Sequence, residues 1–275
     1  MALNSQPAAK QKIGEHLMRI MRLAAAAAMV LAAAGGAEAK EWTKVRIGTE
    51  GAYPPFNVLS SDGQLSGFDV DIAKALCEDM KVECEFIAQD WEGIITALEA
   101  GKYDAIIASM SITEERKLKV DFTNKYYNTP PAIAVPKDSA LAGVTDADLA
   151  GAVLGAQAST THSNYAEAKL PSAALKLYPT PDEYKLDLEN GRIDAAIDDV
   201  VVLDEWVKSD AGACCKILGT LKPDPVINGE GAGIAIRKED QDLKEMFNKA
   251  IANIRANGKY KEINDAYFDF DVYGD

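Results

Sequence analysis

The sequence predicts an α/β protein of two similar lobes, each a sheet flanked by helices, with a cleft between them. Three observations carry this. Strand-like and helix-period segments alternate after residue 40, one helix–Gly–strand element occurs twice, and that repeat sets polar residues at equivalent strand ends.

The first 39 residues stand apart. Lys10, Lys12, Arg19 and Arg22 precede the Ala-rich apolar run 23–34, and Ala37-Glu38-Ala39 follows. A basic region, an apolar stretch and an A-x-A site form the pattern of a secretory signal peptide. Residues 1–39 are read as that signal, with the mature chain starting at Lys40. The apolar run is shorter than the roughly 20 residues a membrane span needs.

The remaining elements follow in order. Residues 44–48 form a short β-rich run. Residues 68–80 place apolar side chains at 68, 72, 73, 76, 77 and 80, a helical period. Residues 82–88 read as a strand. Residues 91–100 read as a helix with Asp90 as N-cap and Gly101 as its stop, and residues 104–109 as a buried strand. This β-α-β-α-β order implies parallel strands with helices on both faces.

The element Leu98-Glu-Ala-Gly-Lys-Tyr-Asp-Ala-Ile-Ile107 is echoed by Leu188-Glu-Asn-Gly-Arg-Ile-Asp-Ala-Ala-Ile197. Ligands of open parallel sheets bind beyond the carboxyl ends of strands. The echo sets Ser109-Met110-Ser111 and Asp199 at equivalent ends, one in each lobe.

Composition narrows the function. The 275-residue chain has a formal net charge of −14, and 48% of it is hydrophobic. The leader carries four basic and two acidic residues, so the rest is more acidic still. An acidic chain lacks the basic face that nucleic acid requires and attracts small cations. The two histidines, His16 and His162, cannot build a His-rich metal site. No phosphate loop and no nucleophile elbow is present. An exported chain sits where disulfides persist, so Cys77 and Cys84 are expected to pair. Cys214 and Cys215 are free, vicinally bonded or intermolecular; the sequence leaves all three open.

Several residues invite chemistry. Ser111-Ile-Thr-Glu114 has the capping-box pattern, and Arg116 follows in the first helical turn. A cation there opposes the helix dipole. It is either a clamp on a ligand carboxylate or a surface salt bridge with Glu114, Glu115 or Asp121. Ser159, Thr160 and Thr161 stand at a helix start, as an anion site or as plain caps. Asp199 suits an ammonium group, with Asp198 competing for the role. Glu50, Tyr53 and Trp91 follow strands of the first lobe. The two aromatics are either core or a sandwich around a side chain whose cation Glu50 neutralises. His162 reads as a surface or capping residue.

Gly67-Phe-Asp-Val-Asp-Ile-Ala-Lys-Ala-Leu-Cys77 resembles the signature of periplasmic solute-binding proteins of the polar amino-acid type, solute-binding protein family 3. Segments 45–56, 109–116 and 267–275 resemble the lysine/arginine/ornithine- and histidine-binding proteins of ABC importers. The resemblance implies a two-lobed periplasmic binding protein fold of type II. Crossover strands are expected near 130–134 and 229–233, lobe 1 from 40–131 and 232–275, and lobe 2 from 132–231. It implies a monomer without cofactor, metal or catalytic residues, which delivers a cationic L-amino acid to an inner-membrane permease. Arg116 and the Ser159–Thr160 backbone then meet the ligand carboxylate, and Asp199 its ammonium group. Ser109, Met110 and Ser111 form the strand-tip contacts. Tyr53 and Trp91 wall the side chain, and Glu50 meets its distal cation. Cys77 and Cys84 match the paired cysteines of this subgroup.

Two departures matter for the ligand. Glu50 is one methylene longer than the Asp usual there, and Trp91 replaces a smaller aromatic. They bring in an opine as an alternative ligand. A cyclohexadienyl dehydratase-like enzyme is the rival on the same fold.

Overall fold

The computed structural model describes residues 41–274; the signal read in residues 1–39 lies outside them. Two five-stranded mixed sheets, a three-stranded sheet and nine helices make up the described chain.

The first sheet starts with β1 (Lys44–Thr49). A small antiparallel sheet of β2 (Ala52–Tyr53), β3 (Asn57–Leu59) and β4 (Leu65–Ser66) follows. Helix α1 (Phe68–Met80) spans the residues its apolar period predicts, and Lys81 closes it in the left-handed conformation at φ 58°. Then come β5 (Glu83–Ala88), α2 (Ile94–Glu99), β6 (Ala105–Ile106), the single turn α3 (Glu114–Lys117) and β7 (Asp121–Tyr127).

The second sheet opens with β8 (Pro131–Pro136). It continues through β9 (Val153–Gln157), α4 (Thr161–Lys169), β10 (Ala174–Tyr178), α5 (Pro181–Glu189), β11 (Ala195–Asp199), α6 (Val200–Lys208) and β12 (Cys215–Thr220). A short helix α7 (Pro225–Asn228) leads to β13 (Ala232–Ile236), which rejoins the first sheet. Helices α8 (Gln241–Ala256) and α9 (Lys259–Tyr267) finish the chain.

Strand order is β5-β1-β6-β13-β7 in one sheet and β10-β9-β11-β8-β12 in the other. The first three strands of each are parallel, and the fourth and fifth run antiparallel to their inner neighbours. The chain passes between sheets at 128–130 and again at 221–231.

Both faces of each sheet are covered. In the first, Ile47, Ile234 and Ile236 pack on Phe68, Leu76, Phe247 and Ile251 of the long helices. On its other face Ile106 and Met110 pack on Ile94, Leu98 and Tyr103. In the second, Ile133, Leu154 and Ile197 meet Tyr165 and Leu170, and Ala134 and Ala196 meet Tyr184, Leu203 and Trp206. Alternation along β8, Ile133 and Val135 to one side and Ala132 and Ala134 to the other, is what a doubly covered strand requires.

Three sequence expectations shift. Helix α2 starts at Ile94 rather than near Trp91, because Gly93 takes a left-handed φ of 93° and occupies the cap position expected of Asp90. Strand β6 is cut to two residues, since the backbone turns left-handed at Ser109, φ 54°. The cap of α3 is Thr113, whose hydroxyl accepts the Arg116 N–H at 3.3 Å. Ser111, expected there, is held in an extended bridge to Ala232.

Cys77 and Cys84 form a disulfide across the α1–β5 turn, with Cα atoms 6.1 Å apart, the pairing the sequence leads one to expect. Cys214 and Cys215 are joined to each other. Among the described residues no helix is long and apolar enough to cross a membrane.

Candidate functional site

Carboxyl ends of strands from both sheets meet in one cleft. From the first sheet side come Glu50 after β1, Tyr53 on β2, Trp91 after β5, Ser109 and Ser111 after β6, and Arg116 on α3. From the second come Gln157 at the end of β9 and Thr160, Thr161 and His162 at the start of α4. Together they line a cavity of about 30 Å³. A second cavity shares Tyr53, Ser109, Ser111, Thr161 and His162 and extends the cleft toward Thr129 and Asp199.

Among the described residues, five side-chain hydrogen bonds bridge the two sides. Gln157 Nε2 donates to Glu50 Oε1 at 2.6 Å, and the Tyr53 hydroxyl to Asp198 Oδ1 at 2.5 Å. The Ser159 carbonyl accepts from Trp91 Nε1 at 3.2 Å and from Arg116 Nη2 at 3.3 Å. The Ser111 and Thr161 hydroxyls meet at 3.3 Å. The cleft is closed.

Arg116 is half-buried. Its Nη1 donates to the Ser111 carbonyl at 2.9 Å, and its guanidinium lies 5.2 Å from the Trp91 ring centroid. None of the three expected surface partners binds it: Glu114 pairs with Lys117 and Asp121 with Lys244, each at 2.7–2.8 Å, while Glu115 acts on it only through space. Burial of this unneutralised cation lowers its pKa to about 10.

The acids show the opposite condition. Glu50 is raised to about 7, first by burial, with the Gln157 bond opposing. Asp199 is also raised to about 7 by burial. Its Oδ1 caps α6 by accepting the Val201 N–H at 2.8 Å, and its Oδ2 accepts the Thr129 hydroxyl. Asp198, the competitor for the ammonium role, is surrounded instead. It accepts from Tyr53, Tyr184, His162 Nδ1 at 3.1 Å and the Asp199 N–H at 2.7 Å.

The aromatic positions divide between cleft and core. Trp91 is half-buried at the rim, whereas Tyr53 is buried, stacks on Phe56 at 6.0 Å and still lines the cavity. Thr160 lines the cavity through a capping box, accepting the Ser163 N–H at 3.1 Å. Ser159 reaches the site through its carbonyl, and its left-handed φ of 60° aims that oxygen across the cleft. Met110 departs from expectation. It is fully buried in the core with Ile106 and Ile112 and lines neither cleft cavity.

Three site residues escape sequence reasoning. Asp69 lies behind Ser109 and accepts its hydroxyl at 3.0 Å, Tyr126 at 2.8 Å and Asn57 at 2.8 Å; burial raises it to about 6. It reads in sequence as an acidic residue of a helix start. Gln157 carries no motif, although its place at a strand end was a signal. His162 reads as a cap but is turned inward.

Residues 45–270 match the profile of bacterial extracellular solute-binding proteins, family 3. The chain is 50% identical over 233 residues to the L-arginine-binding protein of Pseudomonas aeruginosa, covering 84% of this chain and 90% of that one. It is 36% identical over 260 residues to the histidine-binding periplasmic protein of Salmonella typhimurium, covering 94% and 100%. Among solved structures, an ancestral arginine-binding protein bound to arginine superposes with a TM-score of 0.75 at 37% identity, covering 82% and 98%. With its paired mixed sheets and strand-end cleft, the chain belongs to the bacterial extracellular solute-binding proteins of family 3.

Proposed function

We propose that this protein is the solute-binding component of an ABC importer, that it captures a cationic L-amino acid of the arginine, lysine, ornithine or histidine group, and that it hands this ligand to an inner-membrane permease. One observation carries the reading. A half-buried guanidinium with no carboxylate partner lines the cleft, and among the described residues the carboxyls of Glu50 and Asp199 in the same cleft have no cation beside them. A ligand carrying one carboxylate and two cations supplies each of the three groups with its missing partner.

In this reading Arg116 and the α4 start around Ser159 and Thr160 hold the ligand carboxylate. Asp199, Ser109 and Ser111 hold the ammonium group. Glu50 takes the distal cation between Tyr53 and Trp91. Ligand contacts come from both sides, so binding favours the closed arrangement. An opine carries an additional carboxylate, which the uncompensated acids of the cleft repel. The protein is read as a binder rather than an enzyme, exported to the periplasm by its leader and acting as a monomer. Its curated relatives include periplasmic histidine-binding proteins, which accords with that compartment.

The test is thermal-shift and calorimetric screening after ligand stripping by unfolding and refolding. Arginine, lysine, ornithine and histidine are compared with glutamine, octopine and prephenate. A ligand bound only by the native state raises the melting temperature. The expected result is a large rise with one or more cationic amino acids. A response confined to octopine or prephenate replaces this reading with an opine carrier or an enzyme.

A further inference from the structure

The histidine turned into the cleft has an orientation that carries information. His162 Nδ1 lies 3.1 Å from Asp198 Oδ1, and its side chain is 16% exposed. The other donors around Asp198 are the hydroxyls of Tyr53 and Tyr184 and the Asp199 N–H. A carboxylate in such a ring only accepts, so the His162 proton sits on Nδ1. Among the described residues nothing bonds Nε2, and the ring borders both cavities of the cleft.

We propose that His162 is a specificity-determining ligand contact: Asp198 fixes its Nδ1–H tautomer, and the bare Nε2 accepts an N–H of a cationic ligand. The proposal rests on the cationic amino-acid reading and adds a selective element to it. A lone pair at Nε2 attracts an ammonium or guanidinium hydrogen and repels a carboxylate oxygen. The same atom therefore discriminates against ligands that bring an extra carboxylate to this part of the cleft. Burial, helped by the nearby Arg116, outweighs the opposing pull of Asp198 and favours the neutral ring, which keeps Nε2 an acceptor. Asp198 is by this account a positioning residue, acting through the imidazole rather than on the ligand.

The test is nitrogen NMR of the full chain labelled with 15N-histidine, with and without saturating arginine, alongside calorimetry of the same samples. The chain has two histidines, His16 and His162, so the resonances missing from His162→Asn are those of His162. Asparagine places an N–H where Nδ1 was, keeping the bond to Asp198, and has no second nitrogen to reach the cleft. The expected result is an unprotonated Nε2 that moves when arginine binds, with an unchanged melting temperature and about tenfold weaker arginine binding in His162→Asn. An Nε2 that carries the proton, or one that bound arginine leaves unmoved, overturns the proposal. So does wild-type affinity in folded His162→Asn. If that variant does not fold, the wild-type resonances decide alone. Failure of the wild type to bind any cationic amino acid is a separate result, which removes the functional reading and this contact with it.

Discussion

Strands β6 and β11 occupy the middle of their sheets, each parallel to one neighbour and antiparallel to the other, yet one leads to Ser109 and Ser111 and the other ends in Asp198 and Asp199. What precedes the tips is built alike. Gly101 and Gly191 both turn left-handed, at φ 72° and 65°. Asp104 and Asp194 then each accept a backbone N–H from the adjoining strand, from Arg46 at 3.0 Å and Val153 at 2.8 Å. Each returns its own N–H to the carbonyl of that same residue, at 2.8 and 2.9 Å. One frame thus presents neutral hydroxyls on one side and carboxylates on the other. In the proposed function the two tips meet the same end of the ligand, with hydroxyls and carboxylate together on its ammonium group.

The largest effect should come from Arg116→Ala. It removes the guanidinium that lines the cleft, leaving a ligand carboxylate unpaired in a closed cleft. Calorimetry should show arginine binding weakened by about 3–5 kcal/mol. Affinity within tenfold of wild type would mean that hydroxyls and backbone N–H groups alone hold the carboxylate, and the role given to Arg116 would fall.

The next pair tests whether the repeated frame is equally stressed in both sheets. Asp104 also receives Arg46 Nη2 at 2.8 Å and Arg237 Nη2 at 3.1 Å, and it is buried. Asp194 is exposed and, among the described residues, its side chain holds only the Val153 N–H. Asp104→Ala should cost about 3 kcal/mol in urea unfolding, because it strands the largely buried Arg237 with fewer partners. Asp194→Ala should cost about 1 kcal/mol or less. Equal losses would show that the backbone contact, common to both, dominates.

A smaller contrast lies one strand over, where Gly48 and Gly155 pair with Ile106 and Ala196. A Cβ on Gly48 would meet three Tyr103 ring atoms at 2.6–2.9 Å. That ring is fully buried and its hydroxyl donates to the Ile94 carbonyl, so it cannot retreat. A Cβ on Gly155 would meet the Ile193 Cδ1 at 2.6 Å, the far end of a flexible chain. Thermal unfolding should show Gly48→Ala destabilised by about 2 kcal/mol and Gly155→Ala by about 1 kcal/mol. The reverse order would place the tighter packing in the second sheet.

Much of this comparison is legible in the sequence, for reasons that differ by residue. Helix α1 is readable to its ends because six apolar residues hold a helical period. The echo marks the two centre strands because both lobes need the same Gly stop and the same Asp. What is not legible depends on contacts distant in sequence. His162 looks like a cap until Asp198, 36 residues later, turns it inward. Asp69 looks like a helix-start acid until Ser109 and Tyr126 surround it. Trp91 looks helical because the left-handed turn at Gly93 depends on a backbone choice that apolar periodicity does not record. Met110 is a different kind of miss. It is the apolar residue between two polar ones, and its apolar character, which favours the core, was a signal available in the sequence.

The mildest test sharpens the comparison by titration. Burial raises Glu50 and Asp199 to about 7 in the ligand-free cleft. Below that pH the folded protein holds protons that a cationic ligand must expel. Arginine affinity should therefore fall as pH drops from 8 to 6, by at most about tenfold per pH unit for each group, and level off above pH 8. Stability runs the other way. Between about 4, the usual carboxyl value, and 7 the unfolded chain is ionised at these positions while the folded chain keeps its protons, so ligand-free stability falls as pH rises through that window. Bound arginine should offset the fall, because its cations pair with the ionised forms. Glu50→Gln should weaken arginine more than glutamine and leave only the Asp199 share of the affinity slope. Calorimetry at pH 6 and pH 8 on both proteins measures it, and a wild-type affinity that does not change between them would mean that the acidic tips never meet the ligand's cations.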